Sequence, residues 1–335
     1  MGYGNWTRKS FIQYSEQMGR TVDASGNLAS HYTDQQLFAQ RSIHPKLNPL
    51  NVVRECCDSD DHPHSLPVIL ALDVTGSMGP ASAQVAKKLN EVMTKLYDQV
   101  KDVEFMVMGI GDLAYDRAPI QISQFESDIR IAEQLDLVYM EHGGGGNAFE
   151  SYTAAWYMGL HHTRLDCWKR GKKGLIITMG DEPMNPYLPA KPLAELTGDT
   201  IEADVETTVL YNLVAEKYDV WHLHVNHRAV DSYWERVERS FGRQLPEGHL
   251  LRVTIDSIAE TIVQIVKQHA ESQAAAASAA EDVITWETTK ETVTSEEKTT
   301  EISWDTTAPE ASRTDTPQEH SEKKPKKKLF GLFSW

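Results

Sequence analysis

Three oxygen-bearing side chains stand at alternate positions in Leu70-Ala71-Leu72-Asp73-Val74-Thr75-Gly76-Ser77-Met78-Gly79-Pro80. Asp73, Thr75 and Ser77 put one carboxylate and two hydroxyls, all hard donors, on one tight loop. Magnesium takes such oxygens at about 2.0–2.1 Å in near-octahedral order and usually keeps several waters. Ser, Thr and Asp are also common helix caps, but capping would use one of the three rather than all. The apolar run Val68 to Leu72 reads as a buried parallel strand ending in Asp73. Gly79-Pro80 opens a helix, with Pro in its first turn. The loop thus falls at the carboxyl end of a strand, where open α/β sheets place their ligands.

Two later segments join it. Gly143-Gly144-Gly145-Gly146-Asn147-Ala148-Phe149-Glu150-Ser151 is a glycine run leading into a helix, and Gly174-Leu175-Ile176-Ile177-Thr178-Met179-Gly180-Asp181-Glu182-Pro183 is a second buried strand ending in an acid. In this order the three segments resemble the von Willebrand factor A domain, whose metal-ion-dependent adhesion site is Asp-x-Ser-x-Ser. Thr75 replaces the first Ser and keeps its hydroxyl. The family's glycine-rich loop supplies a Thr near the metal. None stands there in this chain, Thr153 being already inside the helix, so the resemblance assigns that oxygen to Asn147 or Glu150. The family's Thr-Asp-Gly appears as Gly180-Asp181-Glu182, which makes Asp181 the acid reaching the metal through water, with Glu182 as its substitute.

The resemblance spans roughly residues 66–270, the length of one domain, and is to the intracellular bacterial or phage type. It implies Mg²⁺ (or Mn²⁺) held directly by Thr75 and Ser77, with Asp73, Asp181 and the 147–150 loop behind them or acting through water. It also implies a binding module rather than an enzyme. An open coordination position would accept a carboxylate from a protein partner, such as an ATPase or a component of a multiprotein assembly.

Rival chemistries fit less well. A haloacid-dehalogenase-like Mg²⁺-dependent phosphohydrolase also ends its first strand in Asp. Its general acid, however, stands two residues on, where this chain has Thr75. His222-Leu223-His224-Val225-Asn226-His227 is similar to the zinc motif of metallo-β-lactamases, with Asn226 in the Asp position. The plainer reading is a strand whose His222 and His224 share a face and hydrogen-bond locally. Cys56, Cys57, His62 and His64 form another zinc-like cluster, but adjacent cysteines on an extended chain point opposite ways. No phosphate-binding Gly-x-x-x-x-Gly-Lys-Ser/Thr occurs.

The elements that must position these residues alternate strand and helix from Leu66 onward. Strands are expected at 68–73, 103–110, 174–180, 219–225 and 249–254, with an antiparallel edge strand at 118–123. Helices are expected at 81–100, 126–135, 148–163, 202–217, 231–240 and 257–272, and 182–200 reads as a proline-rich surface loop. The alternation predicts an α/β fold with a doubly wound, mostly parallel sheet flanked by helices. Residues 1–65 are polar, with one plausible helix near Thr33–Gln40, and read as an N-terminal extension packing on the domain at 66–272.

The formal net charge of −16 over 335 residues excludes a nucleic-acid footprint, which needs a basic face. No apolar run approaches the roughly 18 residues of a membrane span. Met1 to Ser10 has no apolar region of the signal-peptide kind, and Trp6 stands where myristoylation wants Ser or Thr. Three cysteines, an odd number, point to free thiols in a reducing cytoplasm. Residues 273–322 form a Thr/Glu-rich linker of disordered composition, whose stretch 281–322 carries twelve acids against three basic residues. Five lysines then precede Leu329-Phe330-Gly331-Leu332-Phe333-Ser334-Trp335. This basic-aromatic tail, 323–335, has the composition of a short docking peptide for a partner groove or an anionic membrane surface.

Overall fold

The computed structural model describes residues 4–141, 149–226 and 231–275. The chain divides into Met1–Asp282 and Val283–Trp335, and the described residues all belong to the first unit. Asn147, His227, most of the acidic linker and the whole basic-aromatic tail lie outside the described residues.

Six strands build the central sheet: β1 (Leu66–Asp73), β2 (Val103–Ile110), β3 (Ile120–Ile122), β4 (Gly174–Gly180), β5 (Tyr218–Val225) and β6 (Leu250–Val253). Their order is β6-β5-β4-β1-β2-β3. Every pairing is parallel except that of β3, which runs antiparallel to β2 at the edge. The expected doubly wound, mostly parallel sheet is therefore present, with β1 inside it between β4 and β2.

The sheet buries both faces. Val68, Leu70 and Leu72 of β1 point into one core, and Ile69 and Ala71 into the other. Two covered faces explain why the strand reads as an unbroken apolar run rather than an alternating one. On the first face lies α2 (Gly79–Gln99), which buries Val85, Leu89, Val92, Met93 and Leu96, beside α7 over residues 258–275. On the second lie α3 (Thr153–His161), α5 (Thr207–Val214) and α6 (Asp231–Phe241), contributing Trp156, Leu210, Val237 and Phe241 to that core. Among the described residues no helix is long and apolar enough to cross a membrane.

Several boundaries differ from the sequence reading. The first 65 residues hold a ten-residue helix, α1 (Arg8–Gln17), whereas Asp34–Leu37 is a single turn. Only Phe11 and Ser15 of α1 are buried, too few to display an apolar stripe, and the helix is started by Thr7, whose side chain accepts from the Ser10 amide. The stretch read as a surface loop, 182–200, contains α4 (Ala190–Thr197) and the strand Tyr187–Leu188, which pairs with Val205–Glu206. Leu188 and Leu193 are fully buried there. Pro192 in the first turn and Gly198 at φ 85° after the last are the signals that mark this helix. The helix expected at 126–135 shortens to Arg130–Leu135, and that at 202–217 to α5. The one expected at 148–163 yields its end to a strand, Thr163–Leu165, paired in parallel with Arg54–Cys56.

The N-terminal residues are core, not ornament. Trp6, Phe11, Leu28, Leu37 and Leu47 belong to the first core, and the rings of Trp6 and Phe11 lie 5.4 Å apart. Phe11→Ala is expected to cost about 3–5 kcal/mol, the usual range for deleting a buried ring. A urea denaturation midpoint reads this directly, and a loss below about 1 kcal/mol would place α1 outside the cooperative unit.

Candidate metal centre

Asp73 ends the innermost part of the sheet and is wholly buried. One carboxylate oxygen, Oδ1, accepts from the Thr75 amide at 2.9 Å and from the Thr75 hydroxyl at 2.5 Å. The other, Oδ2, accepts from the Tyr152 hydroxyl at 2.9 Å. Beyond Thr75 the chain makes a short 3₁₀ turn, Gly76–Met78, and enters α2. That turn sets the Ser77 hydroxyl 3.5 Å from Thr75 Oγ1 and lets it donate to Asp181 Oδ1 at 3.0 Å. Asp181 follows the last residue of β4, the strand beside β1, and is 1% exposed. Two adjacent parallel strands thus deliver two acids to one edge, and the alternate hydroxyls of the loop bridge them.

The two buried acids act on each other's proton affinity. Burial, and then the neighbouring charge of Asp181, push the Asp73 carboxyl up to about 7. Glu150 is also buried. Burial first, and then the charges of Asp73 and Asp116, push its carboxyl up to about 11, so it holds its proton at neutral pH. Its backbone is fixed by the amide donating to Pro183 O at 3.0 Å and the carbonyl accepting from Asn185 N at 3.2 Å. Its Oε2 has no hydrogen-bond partner among the described residues.

Of the residues singled out from sequence, Asp73, Thr75, Ser77 and Asp181 are joined by hydrogen bonds. Glu150 stands near enough for Asp73 to act on its proton affinity. Asn147 lies outside the described residues. Thr153 is the first residue of α3, as expected, and its hydroxyl engages Asn185. Sequence reading missed Tyr152. Its hydroxyl joins Asp73 to the β4 end by also accepting from the Glu182 amide at 3.2 Å. Gly180 makes room for it, since a Cβ there would lie 1.9 Å from the Tyr152 hydroxyl. That contact is the physical reason for glycine before Asp181.

The donor set fits a hard divalent ion. Two hydroxyls and two carboxylates converge, and a cation would hold ionised the two buried acids of raised proton affinity, Asp73 and Glu150, the second of which has an unpartnered oxygen among the described residues. Among the described residues no group of three or more His, Cys, Asp or Glu side chains is placed to hold a metal. The set at Asp73 differs in kind, because half of it is hydroxyl.

The zinc-like sequences are placed otherwise. His222 Nδ1 lies 2.8 Å from Thr178 Oγ1 and its ring stacks on Phe241 at 3.9 Å. Burial holds it well below the usual histidine range, hence neutral. The ring of His224 lies 5.3 Å from that of Trp234. Cys56 is packed in the second core, while His62 Nε2 lies 2.9 Å from Gly4 O.

No protein-family model matches the chain, and no curated protein matches it. Among solved structures, the pilus adhesin SpaC from Lactobacillus rhamnosus GG in its open conformation aligns at 11% identity and a TM-score of 0.43, over 67% of this chain. A second structure of SpaC aligns at 12% identity and 0.39 over 67% of this chain and 31% of SpaC. The vWF domain of the type V pili tip protein Mfa5 from Porphyromonas gingivalis aligns at 10% identity and 0.38, over 62% of this chain and 96% of that one. The chain spans 31% of the length of SpaC. The fold assignment rests on the strand order and helix placement given above, not on these likenesses.

Proposed function

We propose that the chain is a metal-dependent protein-binding module of von Willebrand factor A type. The observation that carries this reading is the hydrogen-bonded run Asp73–Thr75–Ser77–Asp181 at the carboxyl edge of adjacent strands. Thr75 and Ser77 would hold Mg²⁺ or Mn²⁺ directly, while Asp73 and Asp181 orient those hydroxyls and balance the charge. Tyr152 holds the Asp73 carboxylate in place from behind. When bound, the cation supplies a coordination position open to a carboxylate of a partner protein, with an ATPase or a multiprotein assembly as the partner class. The three cysteines are free, in keeping with a cytoplasmic module.

Calorimetric titration with Mg²⁺ tests the site. Ser77→Ala, which removes one direct donor together with its hydrogen bond to Asp181 Oδ1 and leaves both carboxylates in place, is expected to weaken binding about tenfold or more, because magnesium would be held by few protein oxygens. Unchanged affinity in that variant would remove Ser77 from the site.

The phosphohydrolase reading has its own test. The Thr75 hydroxyl donates to Asp73 Oδ1 and offers no carboxyl to protonate a leaving group. The protein with Mg²⁺ and a generic aryl phosphate is expected to show no turnover above a heat-killed control. Turnover lost in Asp73→Asn would establish the enzyme instead.

A further inference from the structure

Beside the metal edge lies a groove of about 470 Å³ whose lining includes Arg236, Arg239, Arg243, Thr208, Glu206 and Met184. Arg236 and Arg239 stand one turn apart on α6, with Arg243 a further turn along the chain, so all three guanidinium groups come to one wall. All three are exposed, and none is in an ion pair among the described residues. The opposite wall is the first turn of α5, where Gln244 Nε2 donates to Thr208 Oγ1 at 2.8 Å, and Met184 and Pro183 line the groove as well. Arg236 also lies over the Tyr233 ring, 5.4 Å from its centroid, which leaves its charge uncompensated in a chain whose acids outnumber its basic residues 49 to 33.

The segment lining the groove continues directly from the candidate metal centre. Asp181 and Met184 are three residues apart, a span of at most about 11 Å. The groove is also tied to Glu150, whose amide donates to Pro183 O at 3.0 Å. A ligand that presents a carboxylate at the metal edge therefore reaches the arginines within about three to five extended residues.

We infer that the Arg236–Arg239–Arg243 groove binds an acidic segment of the protein partner, adjoining the position where the partner's carboxylate meets the metal. The inference rests on the proposed metal-face reading for the partner's placement, but the groove itself needs no cation. Charge complementarity identifies the occupant: guanidinium groups pair with carboxylates bidentately, and an exposed set on one wall selects a run of acids rather than a single one. Glu206, the one acid in the lining among the described residues, opposes that charge and sets the sign of a second test.

A fluorescent oligo-glutamate peptide and the full chain, followed by anisotropy with Mg²⁺ and with chelator, decide the matter. The triple variant R236Q/R239Q/R243Q is expected to weaken binding about tenfold in both conditions, the combined scale of three exposed pairs. Glu206→Gln is expected to tighten it about twofold. A control, K101Q/K172Q/K267Q, removes three lysines lining a cavity elsewhere and is expected to leave affinity unchanged. Far-UV circular dichroism verifies that each variant is folded. Equal losses in the arginine and lysine triples overturn the proposal by making the effect one of net charge. Absent peptide binding in the wild type overturns it too, as does inorganic phosphate occupying the groove while the peptide does not. Asp73→Asn separates the two readings: if it leaves binding unchanged in Mg²⁺ while the arginine triple still loses it, the metal-face reading fails and the groove stands.

Discussion

Asp73→Asn is expected to flatten the pH dependence of stability and to abolish the response to Mg²⁺ at the same time. The ordinary value of 3.8 for Asp73 rises to about 7 in the folded chain, through burial first and Asp181 second. Between those two values the native state binds a proton that the unfolded chain has released. Stability from this group is complete below the unfolded value and is lost as pH rises through the folded one. The slope removed by the variant is about 1.4 kcal/mol per pH unit, one proton's worth. Glu150 contributes in the same sense from its ordinary value of 4.5 toward about 11, so the wild type should weaken steadily from mildly acidic to neutral pH in chelator. A cation bound only by the native state reverses that loss by mass action, by about 2.7 kcal/mol at a hundredfold excess over its dissociation constant. Asn keeps the side-chain shape and an oxygen for the Thr75 donors, so the variant should fold. Urea midpoints across pH, with Mg²⁺ and with chelator, read both effects. A variant retaining the full wild-type slope, beyond the part that Glu150 supplies, together with the metal response would take Asp73 out of the site.

Among the described glycines, Gly180→Ala is expected to be the most disruptive added methyl. The added carbon would lie 1.9 Å from the Tyr152 hydroxyl and 2.3 Å from Cζ, and Tyr152 is itself fully buried against His222 and Phe241. The ring cannot swing aside without displacing those neighbours and abandoning Asp73. Overpacking of this kind costs about 1–3 kcal/mol or more, and the Mg²⁺ response should fall with it. The pair should also be non-additive: in a Tyr152→Leu background the glycine substitution loses most of its effect, because the clashing atoms are gone. An additive double mutant would show that something other than this contact keeps position 180 small.

The two predictions mark what sequence conveys and what it hides. Asp73, Thr75 and Ser77 are legible because they lie within five positions after an apolar run, where strand end and donor spacing are both local. Asp181 is legible for the same reason. Tyr152 is not: its partner Asp73 is 79 positions away, and an aromatic residue before a helix carries no local sign of a bond to an acid. The glycine closing an otherwise bulky strand is the one trace it leaves. The α4 helix was hidden by prolines that read as loop, although one of them occupies a first turn where proline is tolerated. The polar α1 shows no stripe, because two buried side chains suffice to seat it. The arginine wall could be suspected from spacing along α6, but its apposition to the Asp181–Met184 segment is tertiary.

The way the first residues are tied down bears on the order in which the chain matures. Trp6 Nε1 donates to Asn90 Oδ1, 84 positions later, and the Tyr14 hydroxyl to Asp136, 122 positions later. Arg20 also pairs with Asp136, and Arg54–Cys56 finds its strand partner only at Thr163–Leu165. A growing polypeptide is made amino end first, at about 5–20 residues per second, so residues 6–56 are made before these partners. Trp6 finds its hydrogen-bond partner only 84 positions later, and closing such distant pairs is the slow part of folding. Residues 6–56 are therefore among the last pieces to find a place, because their partners are far away in the chain.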